Sequence, residues 1–218
     1  MPPEDREDRS VFTERYAVSR ETLERLDRYV ALLHQWQAKT NLVAPSTLPQ
    51  IWSRHIADSL VFVTLAPDVR RWVDLGSGGG FPGLVTAILL RDESDAEVHL
   101  VESTEKKAAF LRLVIRELGL PAKVHAVRIE SASAVLGRAQ AVSARALASL
   151  DVLLGLVDGR IAPDVPCYFP KGRGHAGEIE EASAHWRFSM VKHPSTVEPD
   201  SVILELRDIA RRGDAVRR

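Results

Sequence analysis

Between positions 74 and 83 the chain reads Asp74-Leu75-Gly76-Ser77-Gly78-Gly79-Gly80-Phe81-Pro82-Gly83. The residues leading into it, Arg71-Trp72-Val73-Asp74-Leu75, are a short apolar run of the kind that forms a buried strand. Pro82 suits the first turn of a helix, and Gly83 to about Leu90 continues in apolar residues. A strand that breaks into glycines and restarts as a helix opens a βαβ unit.

The same rhythm continues downstream. Val98-His99-Leu100-Val101 reads as a second strand ending at Glu102. Ser103 or Thr104 then caps a helix carrying Leu111, Val114, Ile115 and Leu118, which Gly119 and Pro121 stop. Val124 to Ile129 reads as a third strand and Ala139 to Ser143 as a fourth, followed by a helix from about Leu147 to Val157. Cys167-Tyr168-Phe169, Arg187 to Val191 and Val202 to Leu206 make strands five to seven. Such alternation implies right-handed crossovers and a mainly parallel, doubly wound, Rossmann-like α/β sheet. No clear helix joins the last two strands, so that pair is expected to be antiparallel.

Upstream, residues 1–18 are polar and poorly periodic, an arm or a short helix. Ser19 is a plausible N-cap for Leu23, Leu26, Tyr29, Val30 and Leu33 at helical spacing, up to Lys39-Thr40-Asn41. A second helix starts at Ser46/Thr47 with Pro49 in its first turn, carries Trp52, Ile56, Leu60 and Val63 on one stripe, and closes at Pro67. The expected organisation is one structural domain. A helical extension (1–67) packs on a core (68–210), and a basic, flexible tail follows (211–218).

Composition narrows the function. The 218 residues are 45% hydrophobic and 27% charged, enough for a sizeable core. A formal charge of -1 excludes a polybasic protein but leaves room for a local basic patch. The single cysteine, Cys167, excludes a disulfide framework and a Cys-rich metal site, and no His/Asp/Glu cluster has metal spacing. The charged N-terminus is no secretory signal, and the longest uncharged apolar run, Phe81 to Leu90, falls short of the ~20 residues that span a bilayer. A cytoplasmic protein without a metal is the expectation.

Ligands in such sheets bind beyond the carboxyl ends of the strands. There, glycines let the backbone approach a ligand closely, the helix start offers free N–H groups, and Glu102 is placed to accept two ribose hydroxyls. A dinucleotide Gly-x-Gly-x-x-Gly fails from Gly76, because its third glycine falls on Phe81. From Gly78 it matches only formally, with Pro82 inside the turn. A strand ending Asp-x-Gly-x-Gly-x-Gly, with a second acid on strand two, is the S-adenosylmethionine pattern.

Five stretches make a more specific match: Trp52-Ser53-Arg54-His55-Ile56-Ala57-Asp58-Ser59-Leu60, the glycine segment with Phe81-Pro82-Gly83, Leu100 to Lys107 followed by Phe110-Leu111, Ser143-Ala144-Arg145-Ala146, and Pro170-Lys171-Gly172. In this order, over about residues 20–210, the chain resembles the bacterial small-subunit ribosomal RNA guanine-N7 methyltransferase family, once called glucose-inhibited division protein B. The resemblance implies the class I methyltransferase sheet, S-adenosylmethionine as cofactor, and 16S ribosomal RNA or the small ribosomal subunit as substrate. It implies cofactor contacts at Gly76, Phe81, Glu102, Ile129, Glu130 and Arg145; Asp74, Gly78, Ser103 and Thr104 complete the candidate set.

Other residues carry competing readings. Arg54 and Asp58, four apart and opposite the apolar stripe, make either a surface ion pair or, with His55 at its border, a polar face over the pocket. Arg145, His55 and Asp58 are candidates for positioning rather than acid–base work. Lys171 and Arg173, after a strand end, and Lys106-Lys107, in a helix's first turn where cations are disfavoured, are candidate RNA-phosphate contacts. Pro166-Cys167 is similar to the Pro-Cys of cytosine-C5 methyltransferases, but it begins an apolar strand and reads as structural. Guanine N7 presents an in-plane lone pair without a proton, so no general base is required. A monomer is expected. A small-molecule methyltransferase, a nicotinamide oxidoreductase and a noncatalytic RNA-binding or assembly factor on the same fold remain open at this point.

Overall fold

The structure, a computed structural model, describes residues 3–213, with side chains from Asp5 onward. Its centre is a seven-stranded sheet in the order β3-β2-β1-β4-β5-β7-β6. The strands are β1 (Arg71–Leu75), β2 (Glu97–Val101), β3 (Ala122–His125), β4 (Ala141–Ala144), β5 (Cys167–Lys171), β6 (Trp186–Pro194) and β7 (Val202–Arg211). β1 to β5 are parallel, and β7 is antiparallel to both of its neighbours.

Because side chains alternate across a strand, each strand feeds two cores. Trp72, Val98, Leu100, Ala141 and Tyr168 point to one face, where they meet Leu26, Tyr29, Phe62, Leu84, Ile88 and Phe110. Those residues come from α2 (Arg20–Gln37), α3 (Ala57–Leu65), α4 (Gly83–Leu89) and α5 (Glu105–Leu118). Val73, Leu75, Val101, Val142 and Phe169 point to the other face, against Leu150, Leu153, Leu154 and Ala182. These belong to α7 (Leu150–Val157) and α8 (His175–His185). The order therefore reverses between β1 and β4, which is where ligands bind in this architecture.

Several boundaries differ from the expectation. Of the two readings for the N-terminal residues the structure has the helix, α1 (Pro3–Arg15), but it is not frayed: its Phe12 is buried in the first core. The expected helix between Ser46 and Pro67 is three segments of different pitch: a 3-10 helix Pro45–Gln50, a wide π-helix Ile51–Ile56, and α3. β3 stops at His125, and Ile129 opens a 3-10 turn, followed by the short α6 (Ser133–Leu136). β4 begins at Ala141, and the next helix begins only at Leu150, after Ala146 takes a left-handed φ of 52°. α8 was not anticipated: only Ala182 of its residues is fully buried, so it has little apolar period. The flexible-tail reading gives way at Arg211, which is still in β7, and at Arg212, whose Nε donates to the Ser183 carbonyl at 2.8 Å. The rest of that reading, residues 214–218, lies outside the described residues. Among the described residues, no helix is long and apolar enough to cross a membrane.

Candidate active site

A cleft of about 500 Å³ opens beyond the carboxyl ends of β1, β4 and β5. Gly76–Gly79 and Arg145 form its floor. Leu42–Ala44, Thr47, Arg54, His55 and Asp58 form one wall, and the β6–β7 connection with Ser195, Glu198 and Ser201 the other.

The floor is fixed from below. Asp74 is buried at the end of β1; the Ser143 hydroxyl donates to its Oδ1 at 2.7 Å, while Oδ2 has no hydrogen-bond partner. Burial pushes this carboxyl up to about 6, against the pull of the Ser143 hydrogen bond. Gly83 packs so close that a Cβ there would lie 2.3 Å from Leu100 Cδ2 and 2.7 Å from Asp74 Oδ2, so only glycine fits. Gly76 and Gly78 take φ of 64° and 54°, the left-handed region that turns the loop back over the strand. From α2, the Tyr29 hydroxyl donates to the Gly79 carbonyl at 2.6 Å.

Glu102 is the second acid. Its Oε2 accepts from the Gly78 N–H at 2.9 Å and its Oε1 from the Thr104 N–H at 2.7 Å. Thr104 stands at the N-cap of α5, as expected, but no side-chain hydrogen bond caps the helix there; the Glu102 carboxylate holds the Thr104 N–H instead. A carboxylate has about four lone-pair positions, so two remain for ribose hydroxyls. Glu102, Ser103, Thr104, Ile129 and Glu130 lie outside the cleft wall, at or just beyond the adjoining ends of β2 and β3, with Ile129 half-buried and Glu130 exposed.

Above the floor, the helical extension and β4 meet. Arg145 Nη2 donates to His55 Nδ1 at 2.6 Å, so the His55 Nε2–H must donate to Thr47 Oγ1, 2.8 Å away. Burial, reinforced by Arg145 and Arg54, lowers the His55 pKa to about 3. Burial raises the Asp58 carboxyl while Arg145, 3.7 Å away, pulls it back. The Arg145 guanidinium also sits 5.2 Å from the Phe81 ring centroid, and His55 and Tyr29 pack on that ring at 5.0 and 5.3 Å.

The candidate residues fare unequally. Arg145, His55 and Asp58 converge as one group. The Arg54–Asp58 surface pair does not form: Arg54 pairs with Glu198 at 2.5 Å and Asp58 with Arg145. The π-helix explains this, because its wider turn moves His55 inward to 9% exposure and breaks the 100° spacing. Lys171 lines the cleft but is no free cation: it is buried, and its Nζ donates to Glu178 at 2.7 Å and to the Ala148 carbonyl at 2.8 Å. Arg173 is exposed beside Asp200, Lys106 is exposed, and Lys107 lines the cleft. Cys167 is wholly buried, and burial raises its thiol pKa. Among the described residues, no group of three or more His, Cys, Asp or Glu could hold a metal ion. Tyr29, Thr47, Ser143 and Glu198 escaped the sequence reading as functional residues.

S-Adenosylmethionine fits this arrangement. At Gly78 nothing stands nearer than 3.7 Å to the place of a Cβ, so the loop is open to a ligand there; a carboxylate with spare lone pairs follows β2, and a partnerless buried oxygen of Asp74 underlies the loop. The doubly wound sheet with its antiparallel seventh strand, the glycine turn after β1 and the acid after β2 define a class I methyltransferase. The chain belongs to the rRNA small subunit methyltransferase G family, which it matches over residues 22–204. It is 48% identical over 201 residues to the ribosomal RNA small subunit methyltransferase G of Sinorhizobium fredii, covering 89% of this chain and 92% of that protein. With the same enzyme of Rhizobium etli (strain CIAT 652) it shares 50% identity over 196 residues, covering 89% and 96%. The fold is similar to cofactor-bound Rv0187 from MTB, with a TM-score of 0.62 at 15% identity over 95% of this chain and 99% of that one. It is also similar to a variant of MtNAS in complex with S-adenosylmethionine, with a TM-score of 0.57 at 17% identity over 84% and 74%.

Proposed function

We propose that the protein methylates N7 of one guanine in 16S ribosomal RNA, and that the cleft beyond β1, β4 and β5 receives that base. Membership of the family makes it an S-adenosylmethionine-dependent methyltransferase of small-subunit ribosomal RNA; the ring nitrogen and the residues that handle it are the proposal. When bound, the cofactor supplies a methyl group on a positively charged sulfur. Glu102, Ser103, Thr104, Ile129 and Glu130 would hold the nucleoside end, and Asp74, Gly76, Gly78, Phe81 and Arg145 the end nearer the cleft.

One observation carries the choice of N7: His55, the imidazole on the cleft wall, accepts at Nδ1 and donates at Nε2, and its pKa of about 3 makes it a poor base. Asp58 faces Arg145, and Asp74 lies beneath the loop rather than in the wall. A nucleophile that must lose a proton is poorly served here. Guanine N7 has no proton to lose and needs only alignment and exclusion of water. Arg145, oriented by His55, Asp58 and Phe81, positions the base. Lys106, Lys107, Arg54 and Arg173 neutralise phosphates around the rim. The enzyme works as a monomer in the cytoplasm.

The test is transfer of labelled methyl to 16S RNA, as naked RNA and as the small subunit, from cells lacking the enzyme. Digestion to nucleosides should put all label in 7-methylguanosine; label in any other nucleoside contradicts the proposal.

A further inference from the structure

Helix α1 precedes the span over which the chain matches its family, yet it is fastened to both walls of the cleft. The Asp8 carboxylate accepts from the backbone N–H of Trp52 at 2.7 Å and of Ser53 at 3.2 Å. These are first-turn donors of the π-helix Ile51–Ile56, which earlier carbonyls cannot satisfy, and the segment has no capping side chain of its own. Phe12 packs on the Trp52 ring at 5.3 Å, and Arg9, paired with Asp27 of α2 at 2.6 Å, lies over the same indole. At the far end of α1, Arg15 Nη2 donates to the Thr196 carbonyl at 2.7 Å. Thr196 stands two residues before Glu198, the partner of Arg54.

We propose that Asp8 is a positioning residue for methyl transfer: by capping the π-helix from outside, it holds Arg54 and His55 in place and, through His55, the guanidinium of Arg145. A π-helix closes each turn over one residue more than an α-helix and is rarely stable alone. Without the two Asp8 hydrogen bonds, the Ile51–Ile56 segment loses its outside anchor and relaxes towards ordinary helical spacing. That rotates His55 away from Arg145 Nη2. The glycine loop and Glu102 are untouched, because α1 makes none of their hydrogen bonds.

The experiment compares Asp8→Ala with Asp8→Asn, which keeps an acceptor oxygen and the shape. The activity readout rests on the function proposed above; a spectroscopic one does not. Nitrogen NMR of His55, assigned by its loss in His55→Gln, should show in the wild type a neutral Nε2–H ring that does not titrate between about pH 8 and 5. In Asp8→Ala that signal should titrate in the ordinary histidine range. kcat for methyl transfer should fall at least about tenfold while KM for RNA changes less than about threefold. Asp8→Asn should restore kcat to within about threefold and recover the His55 signal. If Asp8→Ala does not fold, Asp8→Ser, too short to reach both N–H groups, takes its place. A variant that melts earlier but keeps the wild-type kcat and His55 spectrum overturns the proposal. A wild type that transfers no methyl to RNA would refute the proposed function instead, leaving the His55 spectrum to decide the role of Asp8.

Discussion

Arg145 Nη2 and His55 Nδ1 lie 2.6 Å apart, and because a guanidinium can only donate, His55 must accept there. One hydrogen bond thus joins the helical extension to the end of β4 and settles which ring nitrogen carries the proton. It also disfavours protonation of His55 in the folded arrangement, since the second ring proton would sit on Nδ1 and face the Arg145 cation.

The pH dependence follows from that. Burial lowers the His55 pKa to about 3 in the folded protein, from the ordinary histidine value of 6.5. Stability from its neutral form is complete above pH 6.5 and is lost as pH falls from there towards 3. Between pH 7 and pH 5 the wild type should lose about 2 kcal/mol more than His55→Gln, which has no such titration. Asp74, raised to about 6, works in the opposite direction in both proteins and cancels in the comparison. Urea midpoints at the two pH values read the difference; equal losses would refute it.

Glu102→Ala removes the carboxylate proposed to hold the ribose, where each hydrogen bond to a charged acceptor contributes ~1.5–3 kcal/mol at most. Calorimetry should show at least about a tenfold weaker affinity for S-adenosylmethionine in a folded protein. Unchanged affinity would remove Glu102 from the cofactor site.

Among the described residues, the Lys106 and Lys107 side chains make no ion pair or hydrogen bond; Lys107 lines the cleft and Lys106 is exposed. If they meet phosphates, the double alanine variant should bind RNA more weakly, with a log–log salt slope shallower by about 1.5–2 units. Its cofactor affinity should not change. A wild-type slope would make both lysines a solvated rim.

Cys167→Ala should keep most of its activity and lose only roughly 1 kcal/mol of stability, because the thiol is wholly buried in the second core. A folded, cofactor-binding but inactive variant would point to covalent chemistry at the thiol.

The parts visible in the sequence are those whose physics is local. Arg71 to Leu75 and Val98 to Val101 are apolar runs with their glycines and acid in series, and both strands stand where expected. The π-helix was invisible, because Trp52, Ile56, Leu60 and Val63 fit a 100° stripe, and the acceptor for its first-turn N–H groups, Asp8, lies more than forty residues away in the chain. Lys171 read as a free cation because Glu178, its partner, sits on a helix with little apolar period. Asp8 and Glu198 gave no signal at all: their partners, Trp52 and Arg54, are remote in the chain, and each residue alone looks like a solvated acid.

The proposed reaction is methyl transfer to guanine N7 without a general base. N7 methylation leaves a fixed positive charge that labilises the glycosidic bond, so borohydride reduction and aniline treatment of the product RNA read it directly. RNA methylated by the wild-type enzyme should break at a single guanine, and unmethylated RNA should remain intact at that position. Stoichiometric methyl incorporation without aniline-sensitive cleavage at any guanine would contradict transfer to N7.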